Sequence, residues 1–368
     1  MRGTDLLPGG VTDPCDPLDL WERPDLAIVG VAKNCGKTTT LNTLLAARAA
    51  APPGLLSTGV DGESEDVLLG TRKPSIVVRP GQWLVTTEVA LGQGTAGLEL
   101  VEPLGWTTAF GDALICRVMD EGTVVLSGIR HRRDLIEAST RLRALGAPGV
   151  WIDGAYGRIA SAHPDVAPAF VVATGAAAGD TIDAAVARTA HLVEPLTLSV
   201  LDDPAHSVLL EEATRRRQAL CLCRDDPTPR ELASASALVA LRQAAPPEGL
   251  TALAIPGLFS DSVAESLLCL ELSTPPTILV PDGSAFHVTE SLWTRLGERF
   301  ELRTHQTMEL AGISYNPRCV GGRSLDGAGL RRALQERWPG VPVFNSLGPV
   351  NSLHLVVTSA YTDPGDAP

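Results

Sequence analysis

Lysine is nearly missing from this chain. Of 368 residues only Lys33, Lys37 and Lys73 are lysines, and arginine supplies every other basic side chain. With a formal net charge of −13, the protein lacks the cationic face that non-specific nucleic-acid binding requires, which argues against helicase and repair roles. It also lacks any apolar run approaching the ~18 residues of a membrane-spanning helix. Residues 1–24 carry prolines and acids where a secretory signal would have an apolar core, so the sequence predicts a cytoplasmic protein. The seven cysteines are odd in number and never spaced C-x-x-C, which excludes the common zinc patterns and favours reduced thiols. Cys221 and Cys223 read as small residues of a strand. The histidines form no ligand cluster, and no Asn-Lys-x-Asp motif for reading guanine occurs.

What is present is concentrated. Two of the three lysines fall in Ala27-Ile28-Val29-Gly30-Val31-Ala32-Lys33-Asn34-Cys35-Gly36-Lys37-Thr38-Thr39-Thr40. In so lysine-poor a chain, Gly-Lys-Ser/Thr arises by chance on the order of a few hundredths of an occurrence. Phosphate chains need many donors close to the backbone, which glycine permits, and a compact cation that reaches the outer oxygens. The segment therefore reads as a phosphate-binding loop. Gly30, Lys33, Asn34, Cys35, Gly36, Lys37, Thr38 and Thr39 are its candidate ATP-binding residues, with Lys37 the phosphate cation and the Thr38 hydroxyl a ligand to Mg²⁺. An apolar strand, Leu26 to Val29, leads in. Leu41, Leu44 and Leu45 at helical spacing lead out. In the usual pattern the first glycine would stand at Val31, so this loop is one residue longer than usual. Lys33, three residues before Gly36, reads equally as a phosphate contact or a solvated cation.

A carboxylate at the end of a neighbouring buried strand would complete such a site. Asp153, after Val150-Trp151-Ile152 and before Gly154, fits that role as a metal-orienting acid. Asp61, in Leu55 to Glu63, is the second candidate and belongs to a segment that reads as a switch. Arg130, Arg132 and Arg133 form a basic cluster that reads chiefly as a solvated surface.

Strands alternating with helices predict an α/β fold of P-loop NTPase type, with a parallel sheet, a small β insertion and a second C-terminal α/β lobe. The expected division is a flexible lead-in at 1–24 and a nucleotide-binding domain at 25–75 and 130–196. A β-rich insertion is expected at 76–129, then a helical bridge at 197–247, a C-terminal lobe at 248–361 and a tail at 362–368.

Several short pieces, in order, resemble one family. They are the loop from Gly30 to Asn42, Ser57-Thr58-Gly59-Val60-Asp61-Gly62-Glu63, Lys73-Pro74, Ile152-Asp153-Gly154-Ala155 with Arg158, Ala173-Thr174-Gly175-Ala176 and Asn316-Pro317. Together they are similar to the P-loop subunit of the lysine 5,6-aminomutase reactivase, over about residues 25 to 345. The resemblance implies an ATP-driven chaperone that restores an adenosylcobalamin-dependent aminomutase by exchanging damaged cofactor, beside a second reactivase ATPase subunit. It implies by analogy the fold of the dethiobiotin synthetase and metallochaperone class. The arginine cluster and the acidic lead-in match nothing in that family. An ATP-dependent small-molecule ligase or kinase, and a nucleotide-dependent binding module without hydrolysis, are the competing expectations.

Overall fold

A computed structural model describes residues 23–61, 75–154, 163–232, 247–320 and 322–347, with the backbone alone at 60–61. Most of the lead-in, the whole tail, Gly62, Glu63, Lys73, Pro74, Ala155 and Arg158 lie outside the described residues.

The chain is a mixed α/β protein built on two main sheets. The first half contributes β1 (Leu26–Gly30), α1 (Lys37–Ala47), β2 (Gly54–Ser57), β3 (Val60–Asp61), β4 (Ile76–Val78), β5 (Trp83–Thr87), β6 (Leu98–Thr108), β7 (Gly111–Val118), β8 (Gly122–Val124), β9 (Leu126–Ser127), α2 (Arg132–Ala144), β10 (Val150–Asp153), β11 (Ala169–Gly175) and α3 (Ile182–Leu196). The second half contributes α4 (Pro204–Arg216), β12 (Leu220–Cys223), β13 (Asp226–Glu231), β14 (Leu250–Ala254), β15 (Phe259–Ser260), α5 (Asp261–Leu268), β16 (Thr277–Asp282), β17 (Phe286–His287), α6 (Glu290–Arg299), β18 (Leu302–Gln306), β19 (Glu309–Asn316), α7 (Gly327–Arg337) and β20 (Val343–Asn345).

The first sheet has nine strands in the order β20-β19-β11-β1-β10-β2-β5-β7-β6. From β20 to β5 all neighbours are parallel, and only β7 runs against both of its neighbours. Strands buried on both faces read as continuous apolar runs, and β1 and β11 are buried at every position. One face packs Ile28, Leu55 and Trp151 against Leu41, Leu44 and Leu45 of α1. The opposite face packs Phe170 and Val172 against α3 and α7, and Leu56 and Ile152 against α2. Caps define several helix starts: the Thr181 hydroxyl accepts from the Ala184 N–H at 3.1 Å, and Asp326 accepts from Ala328 and Gly329.

The second sheet has the order β13-β12-β14-β16-β18, with β14, β16 and β18 parallel and β12 antiparallel to both of its neighbours. Three expectations are corrected here. β19 and β20, expected in the C-terminal lobe, pair with β11 in the first sheet, so the second lobe is inserted between α3 and β19. The region 76–129 is no separate insertion, because β5, β7 and β6 extend the first sheet from β2. The bridge at 197–247 is helical only over α4 among the described residues, for β12 and β13 form a hairpin in the second sheet. Within that bridge β13 runs on to Glu231, and 233–246 lies outside the described residues. Among the described residues no helix is long and apolar enough to cross a membrane.

Candidate functional site

The candidate loop leaves the carboxyl end of β1, the strand between β10 and β11. Crevices outside the carboxyl ends of parallel strands are where open α/β sheets bind ligands. The Val31 N–H donates to the Ala173 carbonyl at 3.1 Å, tying the start of the loop to β11, and the side chains of Val31, Ala32 and Cys35 are buried beneath it. Asn34 and Gly36 have left-handed backbone, with φ of 63° and 98°. Such alternation turns successive N–H groups toward one side, the arrangement of anion-binding nests. Gly36 then caps α1, and no acidic residue occupies the helix's first turn. The helix start thus keeps its positive dipole end.

Gly30 decides how the loop closes. A Cβ built there would lie 2.8 Å from both Cγ and Cδ of Lys37 and 2.7 Å from the Cys35 sulfur. The Lys37 stem therefore folds back across the end of β1, and only glycine leaves it room. This glycine, one place early by the usual pattern, is what seats the lysine. The Cys35 thiol is pushed up by burial, against the opposing charge of Lys37 and several backbone hydrogen bonds, so it stays protonated. Cys35 can offer a ligand only its backbone. Lys33 is exposed on the loop's outer side, whereas Lys37, Thr38 and Thr39 are half-buried.

Strand register sets the carboxylate. Asp153 stands beside Ile28 on β1 and Ser57 on β2, and is fully buried. Trp151, two residues earlier, faces α1, so period-two alternation puts Asp153 on that face, the side over which Lys37 folds. The Thr58 N–H donates to the Asp153 carbonyl at 3.0 Å, and the Gly154 N–H to Ile28 at 2.8 Å, closing both strand ends. The Asp61 backbone pairs with Leu126 of β9 in a two-strand ribbon beyond the end of β2.

On the opposite flank, Asn316 ends β19 and Ser346 comes directly after β20. Asn316 Cβ and Ser346 Oγ lie 3.6 Å and 3.4 Å from the position a Cβ on Gly36 would take. Gly175 has φ of 138° and packs where any Cβ would strike the Asn316 carbonyl, at 1.9 Å. Below the loop, Thr40 Oγ1 donates to the Gly36 carbonyl at 2.9 Å and shares a buried hydrogen bond of 2.5 Å with Ser314 Oγ of β19. Sequence reasoning missed Thr40, Ser314 and Ser346, which carry no local signature. Asn316 came only with the resemblance. The arginines of 130–133 are exposed; Arg133 meets Asp134 and Arg132 reaches Asp165.

Phosphate fits this donor set, since a cradle that a Cβ would fill, a seated lysine and left-handed backbone meet at one helix start. Among the described residues no group of three or more His, Cys, Asp or Glu side chains could hold a metal alone, so Mg²⁺ here would have to be shared with the phosphates. Thr38 and Asp153 would then complete a shell made mostly of phosphate oxygens and water. No protein-family model, curated protein or solved structure matches the chain.

Proposed function

We propose that the chain is a nucleotide-binding P-loop ATPase that reactivates an adenosylcobalamin-dependent aminomutase. The observation that carries the ATPase half is the Lys37 stem folded over Gly30, with buried Asp153 on the same face two strand positions back. Lys37 neutralises charge on the outer phosphates, the backbone from Asn34 to Gly36 cradles them, and the Thr38 hydroxyl and Asp153 hold the metal. Mg²⁺, when bound, would supply charge neutralisation to the phosphate chain. Asp153 fixes the position of a water or of the metal's water shell, and Asp61, on the ribbon beyond β2, lies on the segment that responds to the terminal phosphate. The chaperone half rests on the resemblance of the ordered motifs alone, including Asn316-Pro317 beside Gly36.

The test measures phosphate release by the purified chain, alone and with an aminomutase carrying inactive cobalamin plus the second ATPase subunit, and tracks recovered mutase activity with added adenosylcobalamin. The proposal expects slow release alone, faster release with the client, and recovery that requires ATP. Recovery at the same rate without nucleotide overturns it. Rapid phosphorylation of a small molecule points instead to a ligase or kinase, and tight binding without release to a binding module.

A further inference from the structure

The two lobes meet at a polar seam whose centre is one imidazole. His163, between β10 and β11, is only 5% exposed at its side chain, and its Nε2 lies 3.0 Å from Oδ2 of Asp282, itself 9% exposed, at the end of β16 in the second lobe. Its Nδ1 accepts the Asp165 N–H at 3.1 Å. A neutral ring so held carries its proton on Nε2 and donates it to Asp282. Yet the guanidinium of Arg132, at the start of α2, also rests against Nε2. Arginine only donates. One ring nitrogen therefore faces a donor from its own lobe and an acceptor from the other, and it can serve one of them at a time. Arg132 has a second partner ready in Asp165, 3.9 Å away.

The surroundings suit a contact that makes and breaks. Asp282 keeps its other oxygen on the Ser284 N–H at 2.8 Å, so its carboxylate stays placed when His163 turns away. Gly283 packs so closely on α3 that a Cβ would come within 2.0 Å of the Pro195 carbonyl, which makes this point a fulcrum. A second polar contact lies one residue earlier on α3, where Trp293 of α6 donates to Glu194 at 2.8 Å. Beside it a groove of about 650 Å³ runs between α6 and the linker at Leu198 and Ser199. Inter-domain contacts that are polar, like these, allow relative motion of their lobes.

We propose that His163 is a two-position switch for docking of the second lobe: Nε2 donates to Asp282 in the docked state and accepts from Arg132 in the released state. Arg132 is thereby a competitor of docking, not a strut. Its position is linked to the first sheet, because α2 begins three residues after Ile129, whose N–H bonds the Ser57 carbonyl at 2.9 Å beside Asp153. The inference does not depend on nucleotide binding at the loop.

Opposite signs test it. In the full chain, amide hydrogen exchange at residues 283–286 and at the end of α3 reads docking directly. Asp282→Asn, which retains an acceptor for Ser284, should speed this exchange by roughly three- to tenfold, the span of one net hydrogen bond. Arg132→Gln should slow it by a similar factor. Arg132 is 51% exposed at its side chain, so the substitution leaves the core intact. In the His163→Phe background the Arg132 substitution should lose its effect. Faster exchange in Arg132→Gln, or no change, would show Arg132 to be ordinary support and would overturn the switch.

Discussion

The carboxyl ends of the parallel strands in the two sheets are put to opposite uses. In the first sheet, β1, β10, β19 and β20 end in Gly30, Asp153, Asn316 and Asn345, and all but the last gather with Ser346 around one glycine-cradled loop. In the second sheet, β16 ends in Asp282, which faces the other lobe and bonds His163. In the readings proposed above, similar strand chemistry serves a ligand crevice in one place and a joint in the other. The difference lies in the segment after each strand: a long loop and helix after β1, and after β16 a three-residue turn pressed against Pro195. Polar residues at strand ends are a resource whose use the next few residues decide.

That contrast can be broken at either end. The largest effect is expected at Asp153: Asp153→Asn should lower phosphate release by roughly 10²- to 10³-fold while nucleotide affinity changes little, because the amide keeps the size and loses the charge. Equal turnover by both proteins at saturating Mg²⁺-ATP would remove Asp153 from the site and promote Asp61. Next, Lys37→Ala should weaken nucleotide binding by about 3 kcal/mol, roughly a hundredfold, in a folded protein, read by calorimetric titration. Gly283→Ala should cost about 2 kcal/mol of stability through the clash with Pro195, measured by thermal unfolding, and leave nucleotide affinity unchanged. If it altered affinity as strongly as Lys37→Ala, crevice and joint would be one device.

The smallest effect concerns acid. Burial pushes the Asp282 carboxyl up, but hydrogen bonds from His163 and Ser284, together with the charge the His163 ring carries when protonated in acid, outweigh it and leave it below the usual carboxylate range. Its contribution to stability is therefore complete above the unfolded-state value of about 3.9 and is lost as pH falls through the lower folded value. Melting temperatures recorded from about pH 5 downward should show a loss near the bottom of that range that Asp282→Asn lacks.

Legibility in the sequence depended on distance along the chain. The strand, loop and helix from Leu26 to Leu45 were readable because apolar spacing, glycines and lysine rarity all lie within one short stretch, and β10 and β11 because buried parallel strands read as apolar runs. Sheet membership was not. Gly312 to Tyr315 and Val341 to Phe344 have the composition of strands in either sheet, and nothing local says that they return to β11. The β5–β7–β6 meander looked like a separate module because its alternation is antiparallel in character, although β5 adds in parallel beside β2. His163 and Asp282 were invisible for the same reason, since each is ordinary until the other lobe arrives.

The return of the chain to its first sheet has a consequence in time. While a ribosome makes this protein, the nascent loop and its helix emerge early, yet the β19 strand that carries Ser314 and Asn316 to Thr40 and Gly36 is still unmade. At roughly 5–20 residues per second the gap is on the order of half a minute. For about the second half of it β11, already made, presents a bare strand edge, and the whole second lobe is synthesised before β19 covers that edge. Order of synthesis therefore completes the crevice only after the second lobe has been made, and a chain halted before β19 holds its lysine without the wall that flanks it.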